Sequence, residues 1–179
     1  MIRRRAQRAV STARNSPVTL VVRLTATAGL ATALASASGT SAADAPSYPQ
    51  GATAFQTNCA VCHGPAGGGV PGLAPPLTAY AARYAETPEG RRQLAMTVLY
   101  GMFGAISVGE AHFNAQMPDF GRLDDATLAA TLNFVVFDLA HAPAAVKSLT
   151  AAEIASERSH PVDGAAVRTH RQSLAAPGS

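Results

Sequence analysis

Asn58-Cys59-Ala60-Val61-Cys62-His63-Gly64 is the stretch on which this chain turns. Cys59 and Cys62 are its only cysteines, so all thiol chemistry lies here. Two thiols three positions apart on a helix lie about one turn apart. That separation lets both add to the two vinyl groups of one porphyrin, and the adjacent His63 then projects towards the iron as the proximal ligand. Cys-x-x-Cys-His is accordingly the attachment pattern for a c-type haem. Two other chemistries use paired cysteines. A thioredoxin-like redox pair wants a βαβ context, and no Val/Ile-rich strand runs flank this segment. A structural zinc site takes four Cys/His ligands, and there is no second cysteine pair.

The residues before the motif divide in two. Residues 1–43 hold six arginines (Arg3, Arg4, Arg5, Arg8, Arg14 and Arg23) and no acidic residue. An apolar, small-residue stretch runs from Leu24 to Gly39, followed by Thr40-Ser41-Ala42-Ala43. A charged start, an apolar middle and small residues at a cleavage point read as a secretory signal cut near Ala43. The apolar stretch is short and weakly hydrophobic for a membrane span, which ranks an uncleaved anchor second. An Arg- and Ser-rich organellar presequence is the other alternative.

Removing the leader reverses the charge. The whole chain is +3, but residues 44–179 carry eight basic and eleven acidic residues, a net −3. Residues 44–140 alone carry four arginines and eight acids, a net −4. The basic pI of the whole chain therefore implies no nucleic-acid partner, and no polybasic patch interleaved with aromatics follows the leader. An acidic carrier would be steered to a basic docking surface in a salt-sensitive way.

Residues 44–179 suffice for one small domain and a tail. The segment 44–50 reads as flexible, 51–140 as the domain, and 141–179 as a C-terminal extension. Helices are expected over 51–60, about 79–84, 90–103 and 124–139. In the last, Leu128, Leu132, Val135, Val136 and Leu139 repeat at helical spacing behind Asp124 and Asp125. The Gly- and Pro-rich run 64–77 breaks regular structure. Thr150-Ala151-Ala152-Glu153 is a capping-box pattern opening a short helix. From His160 onward the sequence reads as a polar, mobile tail. The fold class is all-α, helices and loops wrapped around one covalent haem.

A second axial ligand is sought among Met96, Met102 and Met117. Met96 and Met102 fall within a helical pattern, where methionine is more often core. Met117 precedes Pro118 in the non-helical run Asn114-Ala115-Gln116-Met117-Pro118. A proline-fixed loop suits a soft sulfur held over iron. Met117 is therefore the candidate, and His112 reads as an exposed loop histidine.

From Gly51 to Leu139 the chain resembles the class I, mitochondrial-type, c-type cytochromes. It is most similar to single-haem bacterial members associated with periplasmic dehydrogenases. The residues that carry the resemblance are Cys59-Ala60-Val61-Cys62-His63-Gly64, Pro75-Pro76-Leu77, Tyr100-Gly101-Met102-Phe103-Gly104, Phe113-Asn114-Ala115-Gln116-Met117-Pro118 and Leu132-Asn133-Phe134-Val135. The resemblance implies that the Pro75 carbonyl accepts the Nδ1 proton of His63. It implies a crossing of the first and last helices through Gly51, Phe55 and Phe134. It places Leu73, Leu77, Leu94 and Val98 along the crevice. The chain departs from the family pattern in having Phe113 and Phe134 where tyrosine is common, and in having no tryptophan after the last helix.

The implied function is single-electron transfer by one haem c in the periplasm. Its donor and acceptor would be redox proteins, a periplasmic dehydrogenase and a terminal oxidase, with no small-molecule substrate at the iron. The alternative class is a haem enzyme or gas sensor, which needs an open iron position. One haem motif rather than two, placed early in the chain rather than near its end, speaks against di-haem peroxidases and four-helix gas binders.

Overall fold

The computed structural model describes residues 45–174, and the leader expected over 1–43 lies outside them. In chain order these residues form α1 (Pro49–Asn58), α2 (Ala60–His63), α3 (Ala81–Tyr84) and α4 (Pro88–Tyr100). A hairpin of β1 (Ile106–Val108) and β2 (Ala111–Phe113) follows, then α5 (Asp125–Asn133), a π-helical segment Phe134–Leu139, α6 (Ala151–Arg158) and α7 (Gly164–Ser173). The structure is mostly helical, as expected, with one two-stranded sheet among the described residues.

α1 starts on Pro49, where a missing N–H leaves nothing unsatisfied. The N–H groups of Ser47 and Tyr48 donate to the Asp138 carboxylate at 2.8 and 3.0 Å. These bonds tie the start of α1 to the far end of the π segment. α1 crosses α5 so closely that a Cβ at Gly51 would overlap the Ala130 carbonyl oxygen. Below that crossing Phe55 is fully buried, its ring 5.4 Å from that of Phe134. The crossing implied by the resemblance is present.

α5 begins where expected, with the Asp124 side chain accepting from the Thr127 N–H at 2.8 Å. It does not run on to Leu139 as an α-helix. From Phe134 the bonding widens, and Ala140 N–H donates to the Val135 carbonyl at 2.9 Å. Phe134, Val135 and Val136 are all buried, three apolar residues in succession, which is more than one narrow α-helical stripe presents to a core.

α4 is capped by Thr87, whose side chain accepts from Gly90 N–H at 3.1 Å, and it ends at Tyr100, three residues before the expected stop. Gly101 has φ +69, and a side chain there would run into the Met117 carbonyl oxygen. Met102 therefore leaves the helix. It pairs antiparallel with Met117 through N–H to carbonyl bonds of 3.1 and 2.9 Å. The hairpin between them pairs Ile106 with Phe113 and Val108 with Ala111 across a two-residue turn. His112 thus lies on a strand rather than in a loop. It is exposed, and its Nδ1 is 2.9 Å from the Ser107 hydroxyl.

The extension is more ordered than its sequence suggests. α6 carries the full capping box between Thr150 and Glu153. Ile154 is fully buried in the same core as Phe55 and Leu132. The tail expected from His160 gives way to α7, capped by Asp163, with Val167 fully buried. A single buried valine among polar residues produces no periodic signal, so the helix was illegible.

Candidate haem crevice

The cleft of this structure opens between α1–α2, the loop 64–77, α4 and the hairpin. α2 follows α1 after a bend at Cys59, whose carbonyl accepts from the N–H groups of Cys62 and His63 at 3.1 and 3.0 Å. One turn of helix therefore presents both thiols and the imidazole, and all three line the cleft. The thiols are free. Burial, helped by the neighbouring Cys62, pushes the Cys59 thiol up to about 11. A redox-active dithiol needs the opposite shift, towards the thiolate at neutral pH. The thioredoxin-like alternative therefore fails on this site as well as on the fold.

His63 is buried, and its Nδ1 donates to the Pro75 carbonyl at 3.0 Å. Burial pulls the imidazole below its ordinary value, and the Pro75 bond opposes that pull only in part. The ring is neutral at pH 7 with its proton on Nδ1. Its Nε2 makes no hydrogen bond among the described residues, so its lone pair is available to a metal. The loop that supplies Pro75 is pinned around His63. Gly69 N–H donates to the His63 carbonyl, and Leu77 N–H to the Gly67 carbonyl, each at 2.8 Å.

The eight residues singled out from the sequence, Cys59, Cys62, His63, Pro75, Leu77, Leu94, Val98 and Met117, all line this one cleft, and so does Leu73. The methionines sort differently than expected. Met96 is buried in α4 and is not part of the lining. Met102 stands outside α4 and lines the cleft together with Met117. Directly opposed residues of an antiparallel pair project to the same side, so helical core packing no longer sets Met102 apart.

Sequence reasoning missed other walls. Tyr80 and Tyr84 come from α3, Ile106 and Phe113 from the hairpin, and Gln93 and Thr97 from α4. The α4 pair was findable, since 93, 94, 97 and 98 form one helical stripe. Buried Gln93 donates through Nε2 to Thr97 Oγ1 at 2.9 Å and accepts from His170 Nδ1 of α7 at 2.7 Å. No carboxylate and no second histidine is found among the described lining residues.

An apolar cleft with two thiols, a pre-oriented neutral imidazole and a thioether on its walls fits a covalent porphyrin. Comparison with known proteins agrees. Residues 49–136 match the Cytochrome c family. Cytochrome c-552 of Thermus thermophilus is 39% identical over 77 residues, which are 43% of this chain and 59% of that protein. Cytochrome c-552 from a second record of that species, strain-specific, is 39% identical over 77 residues and 52% of its length. The aligned region thus spans little more than half of these relatives. The domain from residue 49 to residue 136, with its Cys59-x-x-Cys62-His63 site, places this chain in the class I c-type cytochrome family, whose members carry one covalently bound haem c.

Proposed function

We propose that this protein is a periplasmic electron carrier with one haem c whose iron is held between His63 and Met117. The haem supplies a ferrous/ferric couple; the chain's residues set its ligands, its surroundings and its access. Pro75 fixes the His63 ring and keeps its Nε2 basic. A thioether as the other ligand raises the potential relative to a second histidine. The apolar walls from Leu94, Val98, Ile106 and Phe113 exclude water and lower the local dielectric. Electrons would pass from a redox-protein donor, such as a periplasmic dehydrogenase, to an acceptor such as a terminal oxidase.

The observation that carries the proposal is the convergence of His63 and Met117, 54 positions apart, on one cleft whose described lining offers no carboxylate for acid–base work. Between the two methionines of the wall, Met117 is favoured. It packs against the hydrophobic core, whereas Met102 does not. Its neighbours Ala115, Gln116 and Pro118 also line the cleft, while Phe103, next to Met102, turns out to an exposed position near Gly164. Against the enzyme or sensor alternative stands this candidate sixth ligand, which would occupy the open position those functions need.

The test is the sulfur-to-iron charge-transfer band of the oxidised protein. We expect it in the wild type and in Met102→Ala and His112→Ala. We expect its loss, with rapid carbon monoxide binding to the reduced form, in Met117→Ala. A wild type without the band that binds carbon monoxide at once would reverse the carrier reading.

A further inference from the structure

α7 lies outside the matched domain, yet it reaches the cleft. Arg171 is one of the lining residues, and its Nη2 donates to the Ser107 carbonyl at 3.1 Å. Arg168, one turn earlier, lies against Gly104, another lining residue. A Cβ built on Gly104, whose φ is +95, would stand 2.7 Å from Arg168 Nε. Two guanidinium groups therefore converge on the same rim segment, 104–107.

Their bonding is unlike that of the other arginines on this part of the fold. Arg91, Arg92 and Arg158 each form an ion pair with a carboxylate. Neither Arg168 nor Arg171 forms one among the described residues. Arg168 Nε is sealed from solvent with no hydrogen-bond partner at all. An orphaned donor on a charged group is costly, and α7 carries no acidic residue to offset it. The rest of the domain is acidic, net −4 over 44–140, so two unpaired cations at one rim are not explained by the surface charge.

The group that the cleft is built for carries its own anions. A haem has two propionate carboxylates, and guanidinium forks match carboxylates in geometry as well as charge. We propose that α7 completes the cofactor site, with Arg168 and Arg171 binding the haem propionates. This rests on the haem reading of the cleft but not on the choice of axial methionine. The C-terminal extension is on this view part of the haem pocket rather than an appendage to it. Gln93, which accepts from His170 between the two arginines, anchors α7 to the wall formed by α4.

Arg168 and Arg171 are binding and positioning residues, so the test reads the haem rather than electron transfer by it. Holoprotein carrying Arg168→Gln, Arg171→Gln, both, or the corresponding Lys variants is compared with Arg83→Gln, an exposed arginine of α3 outside the cleft lining. Two quantities are measured: the propionate bending mode in the resonance Raman spectrum, and the reduction potential. Removing a cation from beside the propionates leaves negative charge that favours ferric iron. Arg168→Gln and Arg171→Gln should therefore lower the potential by more than Arg83→Gln, and the double variant by more than either. The Raman mode should shift in the Gln variants and also in the Lys variants, which keep the charge but lose the fork. If the Gln proteins fail to fold, the Lys variants carry the test through that shift. A mode at the wild-type position in every variant, or a fall in potential no larger than that of Arg83→Gln, overturns the proposal. The sulfur-to-iron band is read in the same samples, so failure of the Met117 assignment shows separately.

Discussion

Asn133→Ala is the sharpest test of how the extension is held. The Asn133 side chain is 5% exposed and is committed in both directions to one residue of the extension. Its Nδ2 donates to the Leu149 carbonyl at 2.9 Å, and its Oδ1 accepts from the Leu149 N–H at 2.7 Å. Alanine would orphan a backbone donor and a backbone acceptor at a residue that is itself 3% exposed. Each orphaned buried group costs about 1–3 kcal/mol. Two together set an upper range of about 2–6 kcal/mol, and partial opening of the joint to water brings the expectation to about 2–4 kcal/mol. Denaturant unfolding of the holoprotein measures this, and amide exchange should show α6 and α7 opening before α4. Asn133→Asp separates hydrogen bonding from packing. Its carboxylate can accept from Leu149 N–H but cannot donate to the carbonyl, so the variant should regain stability as the pH falls and the acid becomes a donor. A loss below about 1 kcal/mol in Asn133→Ala, with no preferential exchange in α6 and α7, would refute the reasoning.

Cys59→Ala and Cys62→Ala should each remove one thioether and most of the holoprotein, and the double variant should release all haem on acid–acetone extraction; retained haem would place the attachment elsewhere. Glu153 is held down to about 2, mainly by the Arg91 guanidinium, against an ordinary 4.5. Its contribution is fully present above pH 4.5 and fades as the pH falls towards 2. Because the Glu153 side chain is 39% exposed, screening limits the effect of Glu153→Gln at pH 7 to about 1 kcal/mol, and the variant should flatten this part of the acid-unfolding curve.

What could be read in advance follows from how local each signal is. Cys59, Cys62 and His63 state their chemistry in five residues, and a single turn of helix then delivers them to one wall. The α5 stripe and the Asp124 cap are likewise local, as is the Thr150–Glu153 capping box. The end of α4 was misjudged because Leu94, Val98 and Met102 keep helical spacing beyond the point where Gly101 turns the backbone. That turn is imposed by the Met117 carbonyl, 16 residues away in sequence, and no window around Gly101 contains it. The hairpin was missed because three-residue strands are too short for alternation to register. The π segment has the same apolar composition as an α-helix; only the burial of three successive residues distinguishes it. α7 offered one buried valine and a glycine against Phe103, both meaningful only once α4 is in place.

The boundary drawn by the family match at residue 136 is not a boundary in the packing. The domain lends Arg91 to the extension, where it forks onto Glu153 and also binds the carbonyls of Lys147 and Ser148 at 2.6 and 3.0 Å. The extension lends Arg158 back, and it binds Asp125 together with the carbonyls of Gly121 and Leu123 at 2.6 and 2.8 Å. Leu149, Ile154 and Val167 are each at most 3% exposed. Burying an aliphatic side chain of this kind contributes about 1.5–3 kcal/mol, so the three together stand at about 4–9 kcal/mol. A domain of this size has only about 5–15 kcal/mol of net stability. The extension therefore supplies a share of stability that the small core of 49–136, with 6% aromatic residues in the whole chain, is poorly placed to replace. The exchange of arginines in both directions makes that share cooperative. The wall bearing Arg171 cannot loosen without disturbing α4, and α4 is the element that carries Leu94 and Val98 into the cleft.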